Sequence, residues 1–253
     1  MNDITDIISS APKVLEETYS DLVSDTLKEA SKIGVDAAKT IRLALFPLQF
    51  AAAFQDRLAR YIELSISQVP EDRRIAPMES LVLSVAERLK YQEEDNPISI
   101  LYINLLSRGL DKERLGEAHP AFINIISQLA PDEALLINEL GEKGYRLYFL
   151  SNTNKSKIIA NNGLSLLPSF NVLAENKKSL LLSKRINHDL LGNPCLFLTF
   201  IEHLVSLGIV AYNNEIVNDG ELREIGRPFS SFTYYCIELS AFGKLFYTAC
   251  VKE

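Results

Sequence analysis

The stretch YYCIELSAFGKLFYTACV, residues 234–251, decides the fold because it joins a strand pattern directly to a helix pattern. The run FTYYCIEL that ends at Leu239 is rich in the aromatic and apolar residues that favour strands. Ser240 is a favourable N-cap, and apolar side chains follow it at helical spacing. We therefore expect a strand that leads through Ser240 into a last helix, and Gly243 should let this helix pack closely. Its expected packing face consists of Phe242, Leu245, Phe246, Ala249 and Cys250.

The residues upstream supply the other elements of a small α+β domain. Apolar periodicity and turn residues indicate, in order, a helix, a strand, two helices and two strands, at 131–140, 145–151, 179–191, 194–207, 209–217 and 232–239. This is the order of a winged helix, with the last two strands as the wing hairpin. A two-stranded hairpin is unstable alone, so the last helix should cover it. Gly141 and Gly144 are expected to end the first helix, and 152–178 should be a loop or an irregular insertion.

Short helices are expected before this domain. Prolines and polar connectors divide the sequence into apolar-periodic segments that begin near residues 49, 77, 97 and 120. We expect a mainly α protein, with an amphipathic N-terminal helix at 1–35, partly mobile, and a helical bundle at 36–130. A winged-helix-like domain follows at 131–253, and a basic insertion at about 142–190 interrupts it.

The net charge is −7, but it is unevenly distributed. Residues 141–190 carry eight Lys/Arg and three Asp/Glu, hence +5, which leaves −12 for the rest. The helix before the wing, PCLFLTFIEHLVSLG, contains Glu202 but no Lys or Arg. DNA recognition needs those basic side chains, so this winged helix is expected to serve as a packing or protein-contact module. The basic insertion keeps nucleic-acid or partner contact open as an alternative, through Lys155, Lys157, Lys177, Lys178, Lys184 and Arg185.

The sequence offers few groups for catalysis. No nucleophile elbow, zinc-protease motif, phosphate-binding loop or dinucleotide fingerprint occurs in it. His119 follows an acidic loop and precedes a helix, so it is a weak functional candidate, although such a histidine more often hydrogen-bonds the turn. His188 and His203 are expected to be structural. We therefore expect a protein that is not an enzyme and needs no cofactor.

The cysteines do not form a metal-binding pattern. Cys195, Cys236 and Cys250 are widely spaced and odd in number. This spacing predicts buried free thiols in a reducing compartment and no zinc site.

The N-terminal part of the sequence bears on location. It has no basic segment followed by an apolar one, so we expect no signal peptide. The most apolar window, IRLALFPLQFAAAF at 41–54, is shorter than the roughly 20 residues of a membrane span. We expect a cytoplasmic protein in which this window is a core helix. As an alternative, the window inserts into a membrane as an amphipathic segment, through Ile41, Leu45, Leu48 and Phe50.

A set of short motifs occurs in a specific order and spacing. The motifs are the Val69-Pro70 step after a helix, the LLSRGLD turn, HPAFINIISQLAPDEA, HLVSLGIV and the final IELSAFGKLFYTACV. Together they resemble the Abi-alpha family of bacterial abortive-infection proteins. The resemblance covers about residues 36–253 and is weakest at 142–190 and 213–230. Ala130 stands where the family tends to have a capping Ser, and Ser240 stands where Thr is common; both should be structural variations.

The resemblance implies a role in bacterial defence against phage, and it brings no catalytic residues. We expect the protein to act non-enzymatically, by binding a phage or host protein. Two alternatives stay open. One is a membrane-disrupting effector that uses the N-terminal amphipathic helices, and the other is a nucleic-acid-binding regulator that uses the winged helix and the basic insertion.

Overall fold

The structure is a computed structural model that describes residues 54–92, 96–152, 158–159, 163–215, 222–225 and 229–252. Within these residues the protein is mainly helical and carries one small antiparallel sheet, as predicted. Residues Arg57–Glu253 form one compact unit. The N-terminal helix predicted at 1–35 and the candidate membrane contacts Ile41, Leu45, Leu48 and Phe50 lie outside the described residues.

Helices precede the sheet and form the bundle. They are α1 at 54–67, α2 at Glu79–Leu89, α3 at Pro97–Leu110 and α4 at Ala121–Ile126. Asn96 caps α3, because its side-chain oxygen accepts a hydrogen bond from the Ile98 amide at 3.0 Å. Eleven of the fourteen residues of α3 are buried, so α3 is the central helix of the bundle.

Helix α5, Pro131–Lys143, is longer than predicted. The expectation that Gly141 ends it is wrong, since Gly141 lies within the helix. A β-carbon at Gly141 would lie 2.1 Å from the ring of Tyr247. The glycine therefore makes room for an aromatic side chain. The helix ends at Gly144, whose φ of +73° favours glycine.

The sheet has the strand order β2-β1-β4-β3 and is antiparallel throughout. Its strands are β1 at Arg146–Ser151, β2 at Ile158–Ile159, β3 at Val210–Tyr212 and β4 at Phe232–Leu239. Strands β3 and β4 pair as the predicted hairpin does, with Val210 opposite Leu239. Strand β3 is shorter than the strand predicted at 209–217. Strand β1 pairs with the other edge of β4.

The segment predicted as a loop or irregular insertion contains ordered elements. They are β2, a 3₁₀ turn at Leu164–Leu166, helix α6 at Pro168–Asn171 and the start of helix α7 at Glu175–Lys184. Apolar side chains of this segment form a second core on one face of the sheet, against Phe149, Phe232 and Tyr234. The prediction was wrong because the many Asn, Ser and Lys residues of this segment outweighed the three-residue spacing of a few apolar side chains, which a 3₁₀ turn and the short α6 bury. They are Leu164, Leu167 and Phe170, and Leu181 of α7, from the helix predicted at 179–191, joins the same core.

The helices around α8 begin and end differently from the prediction. Helix α8, Phe197–Ser206, follows a 3₁₀ turn at Pro194–Leu196, so the helix predicted from residue 194 begins three residues later. The helix is followed by Gly208, whose φ of +72° favours glycine. The helix predicted at 179–191 is α7, which begins earlier and is followed by a 3₁₀ turn at His188–Leu190.

The strand-to-helix joint has the predicted geometry. The hydroxyl oxygen of Ser240 accepts a hydrogen bond from the Gly243 amide at 2.9 Å and caps helix α9, Ala241–Phe246. The helix continues as one turn of π-helix at Tyr247–Val251. A β-carbon at Gly243 would lie 2.0 Å from the carbonyl oxygen of Ile209, so close packing does require glycine.

The last helix does more than cover the hairpin, because α3 holds its final turn. The side-chain amide of Asn104 donates to the carbonyl of Cys250 at 2.9 Å. Arg108, which is also buried, donates to the carbonyl of Lys252. Carbonyls at a helix end lack partners within the helix, and α3 supplies them. One hydrophobic core therefore includes residues of the bundle, of the sheet and of the last helix.

Candidate functional site

Three tyrosines lie on one face of the sheet, on three neighbouring strands. Tyr148 on β1 is directly opposite Tyr235 on β4, and Tyr212 on β3 is opposite Ile237. Directly opposite residues share a face, and so do residues two positions apart in one strand. Tyr148, Tyr212 and Tyr235 therefore project from the same face, and we call these three side chains the tyrosine face.

The rings of the tyrosine face are in mutual contact. Tyr148 and Tyr235 stack with their centroids 5.1 Å apart, and Tyr212 meets Tyr235 at an angle of 65° and 6.3 Å. The hydroxyls of Tyr148 and Tyr212 are 3.2 Å apart and share a hydrogen bond. Tyr148 is 3% exposed and Tyr212 is 43% exposed. A buried ring thus fixes a neighbour that reaches the solvent.

The electrostatics keep the buried member of the face neutral. Burial raises the pKa of Tyr148, and the hydrogen bond that it shares with Tyr212 and the negative charge of Glu202 act in the same direction. The hydroxyl of Tyr148 therefore stays protonated at neutral pH. It remains available to hold the hydroxyl of Tyr212.

Helix α8 supplies the residues beside the tyrosine face. Phe197, its first residue, lies against Tyr148 with the ring centroids 5.6 Å apart. Leu196, just before it, is 44% exposed. Glu202 is exposed, and the helix has no Lys or Arg. An exposed tyrosine with apolar neighbours can contact a protein surface, since Tyr is enriched in protein interfaces.

Sequence reasoning did not find the tyrosine face. Tyr234 and Tyr235 are consecutive in β4 and lie on opposite faces of the sheet, so they belong to separate cores. The sequence did not indicate that β1 pairs with β4, so Tyr148 could not be placed beside Tyr235. The signal that was present is the clustering of Tyr in predicted strands.

The basic residues predicted to contact nucleic acid or a partner are only partly free to do so. Lys178 forms an ion pair with Glu175 at 2.8 Å, and the ammonium of Lys184 lies 4.6 Å from the centre of the Tyr145 ring. Both belong to α7, as does Lys177, and Arg185 follows directly. Lys155 and Lys157 lie outside the described residues.

Another basic residue counted in this region is buried. Arg146 on β1 is 7% exposed, and its guanidinium lies 3.8 Å from the carboxylate of Glu139. Lys143 pairs with the same carboxylate at 3.4 Å. The local charge of +5 in the sequence therefore overstates the charge that faces the solvent.

His119 takes part in a turn. Its Nδ1 accepts a hydrogen bond from the amide of Ala121 at 3.2 Å. Its ring contacts Phe122 and Phe242, with centroids 5.5 and 5.9 Å away. These contacts fit the structural alternative for this histidine, and its functional candidacy stays a prediction.

His203 has a carboxylate partner that the sequence did not indicate. Its Nδ1 lies 2.6 Å from a carboxylate oxygen of Glu133, which is 2% exposed. The other oxygen of Glu133 accepts from the Ala130 amide at 2.7 Å. The Glu133 carboxylate thus accepts a hydrogen bond from a backbone amide at the start of α5, where Ala130 has no side-chain acceptor. It also links α5 to α8.

Histidine and cysteine elsewhere make no reactive cluster. Burial lowers the pKa of His188, so its ring is neutral at neutral pH. Cys236 and Cys250 are buried as predicted, but Cys195 is exposed because it lies in the turn before α8. Among the described residues, no group of three His, Cys, Asp or Glu could hold a metal ion.

No helix within the described ranges combines the length and the apolar character that crossing a membrane requires.

Comparison with known proteins gives one match. The model of the family described as abortive infection alpha matches residues 47–250. This range includes α1 to α9 and the tyrosine face. No curated protein and no solved structure matches the chain.

Proposed function

We propose that this chain, which belongs to the abortive infection alpha family, serves phage defence by binding a phage or host protein through the tyrosine face. In this proposal the protein acts in the cytoplasm and does not catalyse a reaction. Family membership supports the abortive-infection role itself. The mode of action is our proposal. The observation that carries it is the exposed ring of Tyr212 beside a helix without basic side chains.

The composition of the surface favours protein over nucleic acid. Phosphate contacts require Lys or Arg, and α8 has neither. Its exposed acidic residue, Glu202, would repel a phosphate backbone. Tyrosine supplies a large apolar surface together with one polar group, which suits a protein interface.

The geometry also favours tight contact. The ring of Tyr212 packs against Tyr235, and its hydroxyl is held by Tyr148. A side chain that is already fixed loses little conformational entropy when a partner binds, so more of the contact energy appears as affinity. We therefore assign Tyr212 as the central contact residue.

Infection assays test the role and the surface separately. Plaque formation and culture survival are measured with and without the protein, at low and at high phage dose. Abortive infection predicts protection at low dose and culture collapse at high dose. Lack of protection by the wild-type protein across a broad phage panel would contradict the defence role.

Variants then test the tyrosine face. Tyr212→Ala and Glu202→Lys should both reduce protection at least tenfold in plaque counts at an unchanged protein level. Thermal unfolding should stay near wild type in Glu202→Lys, whereas Tyr212→Ala also leaves the buried Tyr148 hydroxyl without its partner and lowers the stability. Tyr91→Ala is the matched control, because Tyr91 is an exposed tyrosine on another element, just after α2. Full protection by both Tyr212→Ala and Glu202→Lys would contradict this surface and leave the defence role standing.

Affinity capture during infection identifies the partner. The wild-type protein and Tyr212→Ala are purified in parallel from infected cells, and bound proteins are compared by mass spectrometry. We expect at least one protein that is enriched with the wild type and lost with Tyr212→Ala. It should then bind the purified wild-type protein directly.

A further inference from the structure

A cavity of about 330 Å³ lies between α2 and the segment that leads into α4. This volume is at the lower end of the range for pockets that bind small molecules. Its lining includes three buried apolar side chains, Leu81, Ala118 and Ile123. They belong to different elements, so the folded bundle is what brings them together.

A row of polar side chains lines one wall. Ser80, Ser84 and Arg88 are spaced by four residues along α2, so they lie on one side of this helix. Asn124 of α4 contributes an amide group to the same cavity. The cavity therefore combines apolar side chains with donors at its rim.

Arg88 is the charged donor of this row. Within the part of the chain that the structure describes, its guanidinium has no hydrogen bond and no ion pair. The neighbouring carboxylate, Glu87, also lines the cavity, but it is engaged by Lys90 at 2.7 Å. Among the described residues, the guanidinium of Arg88 thus forms no ion pair, although the pKa of the neighbouring Glu87 is lowered by its hydrogen bond with Lys90 and also by the charge of Arg88.

We propose that this cavity binds a small organic anion, with an apolar body and one carboxylate or phosphate group. The planar guanidinium of Arg88 matches both kinds of group, because it can donate two parallel hydrogen bonds. The hydroxyl of Ser84, one turn away, adds a further donor. The apolar body lies against Leu81 and Ile123. This inference is independent of the protein contact proposed for the tyrosine face.

Titration calorimetry with three probes of equal chain length tests the proposal. The probes are octanoate, octyl phosphate and 1-octanol, each below the concentration at which it aggregates. At least one anion should bind saturably at one site, and octanol should bind at least tenfold more weakly. The anion with the higher affinity identifies the head group as carboxylate or phosphate. The absence of saturable binding by both anions would overturn the proposal.

Variants of exposed residues assign the binding to this cavity. Arg88→Gln should lower the affinity for the anion at least tenfold and leave octanol unchanged, whereas Ser84→Leu should block all three probes by filling the cavity. Arg223→Gln is the matched control, since Arg223 is exposed on a 3₁₀ turn outside the lining. Thermal unfolding verifies that each variant is folded. Wild-type affinity for the anion in Arg88→Gln would also overturn the proposal.

Discussion

The α-carbon of Gly243 faces the backbone carbonyl of Ile209, and a β-carbon at residue 243 would lie 2.0 Å from that oxygen. The oxygen also accepts a hydrogen bond from the Ser240 amide at 3.0 Å, so it is fixed at the strand-to-helix joint. Gly243→Ala should therefore displace α9 and lower the free energy of unfolding by about 1–3 kcal/mol, as overpacking does. Urea denaturation measures this change.

Gly116→Ala is the control for that substitution. A β-carbon at Gly116 would have no neighbour within 4 Å. We expect its free energy of unfolding to stay within about 0.5 kcal/mol of wild type, as for most surface changes. Equal stability of Gly243→Ala and Gly116→Ala would contradict the close approach of α9 to Ile209.

The contact between Gly141 and Tyr247 gives a second prediction. The substitution Gly141→Ala should change the free energy of unfolding in opposite directions in the wild-type protein and in Tyr247→Ala. Alanine favours a helix interior over glycine by about 1 kcal/mol, but a β-carbon at residue 141 would lie 2.1 Å from the Tyr247 ring. Gly141→Ala should therefore destabilise the wild-type protein. In a Tyr247→Ala background the same substitution should stabilise it, by up to about 1 kcal/mol. A double-mutant cycle in urea measures both effects.

Additivity of the two substitutions would contradict the contact. The test depends only on whether Gly141→Ala stabilises or destabilises the protein, with Tyr247 present and with Tyr247→Ala. Gly144→Ala should be destabilising in both backgrounds, since φ at Gly144 is +73° and does not depend on Tyr247.

Gly243 and Gly141 illustrate which contacts could be predicted from the sequence. Gly243 follows Ser240 at a fixed spacing, so local pattern alone indicated a capped helix that begins close to a strand. The role of Gly141 depends on Tyr247, which lies more than 100 residues away, and no local pattern contains that contact. Local signals therefore predicted caps, helices and the β3–β4 pairing, whereas contacts distant in sequence were missed.

The candidate sites follow the same division. The absence of Lys and Arg from α8 was evident in the sequence. The tyrosine face required the pairing of β1 with β4, and the cavity required α2 to lie beside the start of α4. The second core around Phe170 was missed because its apolar residues lie in short elements among many Asn, Ser and Lys, and because the strands that they pack against are distant in sequence. Packing between residues that are distant in sequence therefore determines the tyrosine face, the cavity and the second core.

Glu133 and His203 give a third prediction. The carboxylate of Glu133 is buried, and the ring of His203 is its partner at 2.6 Å. His203→Ala leaves this carboxylate with the Ala130 amide only, so it should lower the free energy of unfolding by about 1–3 kcal/mol at neutral pH. Urea denaturation measures the loss.

The control for His203→Ala is Glu202→Gln, the neighbouring residue on α8. Glu202 is exposed, so its substitution should change the stability by less than about 0.5 kcal/mol. Glu133→Gln in the His203→Ala background should recover part of the lost stability, because it removes the unpaired charge. A fully stable His203→Ala protein would show that the pair contributes nothing.

Tyr102 gives a prediction about alkaline pH. Its side chain is fully buried at the centre of α3, and its hydroxyl donates to the carbonyl of Ile123 at 3.3 Å. Burial raises its pKa from 10.0 to about 12. The folded protein therefore favours the neutral phenol more strongly than the unfolded chain does.

The stability that this preference contributes is complete below pH 10, where both states are protonated, and it is lost as the pH rises from 10 to about 12. A shift of this size corresponds to a loss on the order of 2–3 kcal/mol. Tyr102→Phe cannot ionise, so its free energy of unfolding, measured in urea at steps between pH 9 and 11.5, should fall less steeply than that of wild type. Tyr91→Phe removes an exposed hydroxyl that interacts with Lys90, so it should change the slope much less than Tyr102→Phe does. Equal slopes for Tyr102→Phe and Tyr91→Phe would contradict the burial of the Tyr102 hydroxyl as the source of the alkaline loss.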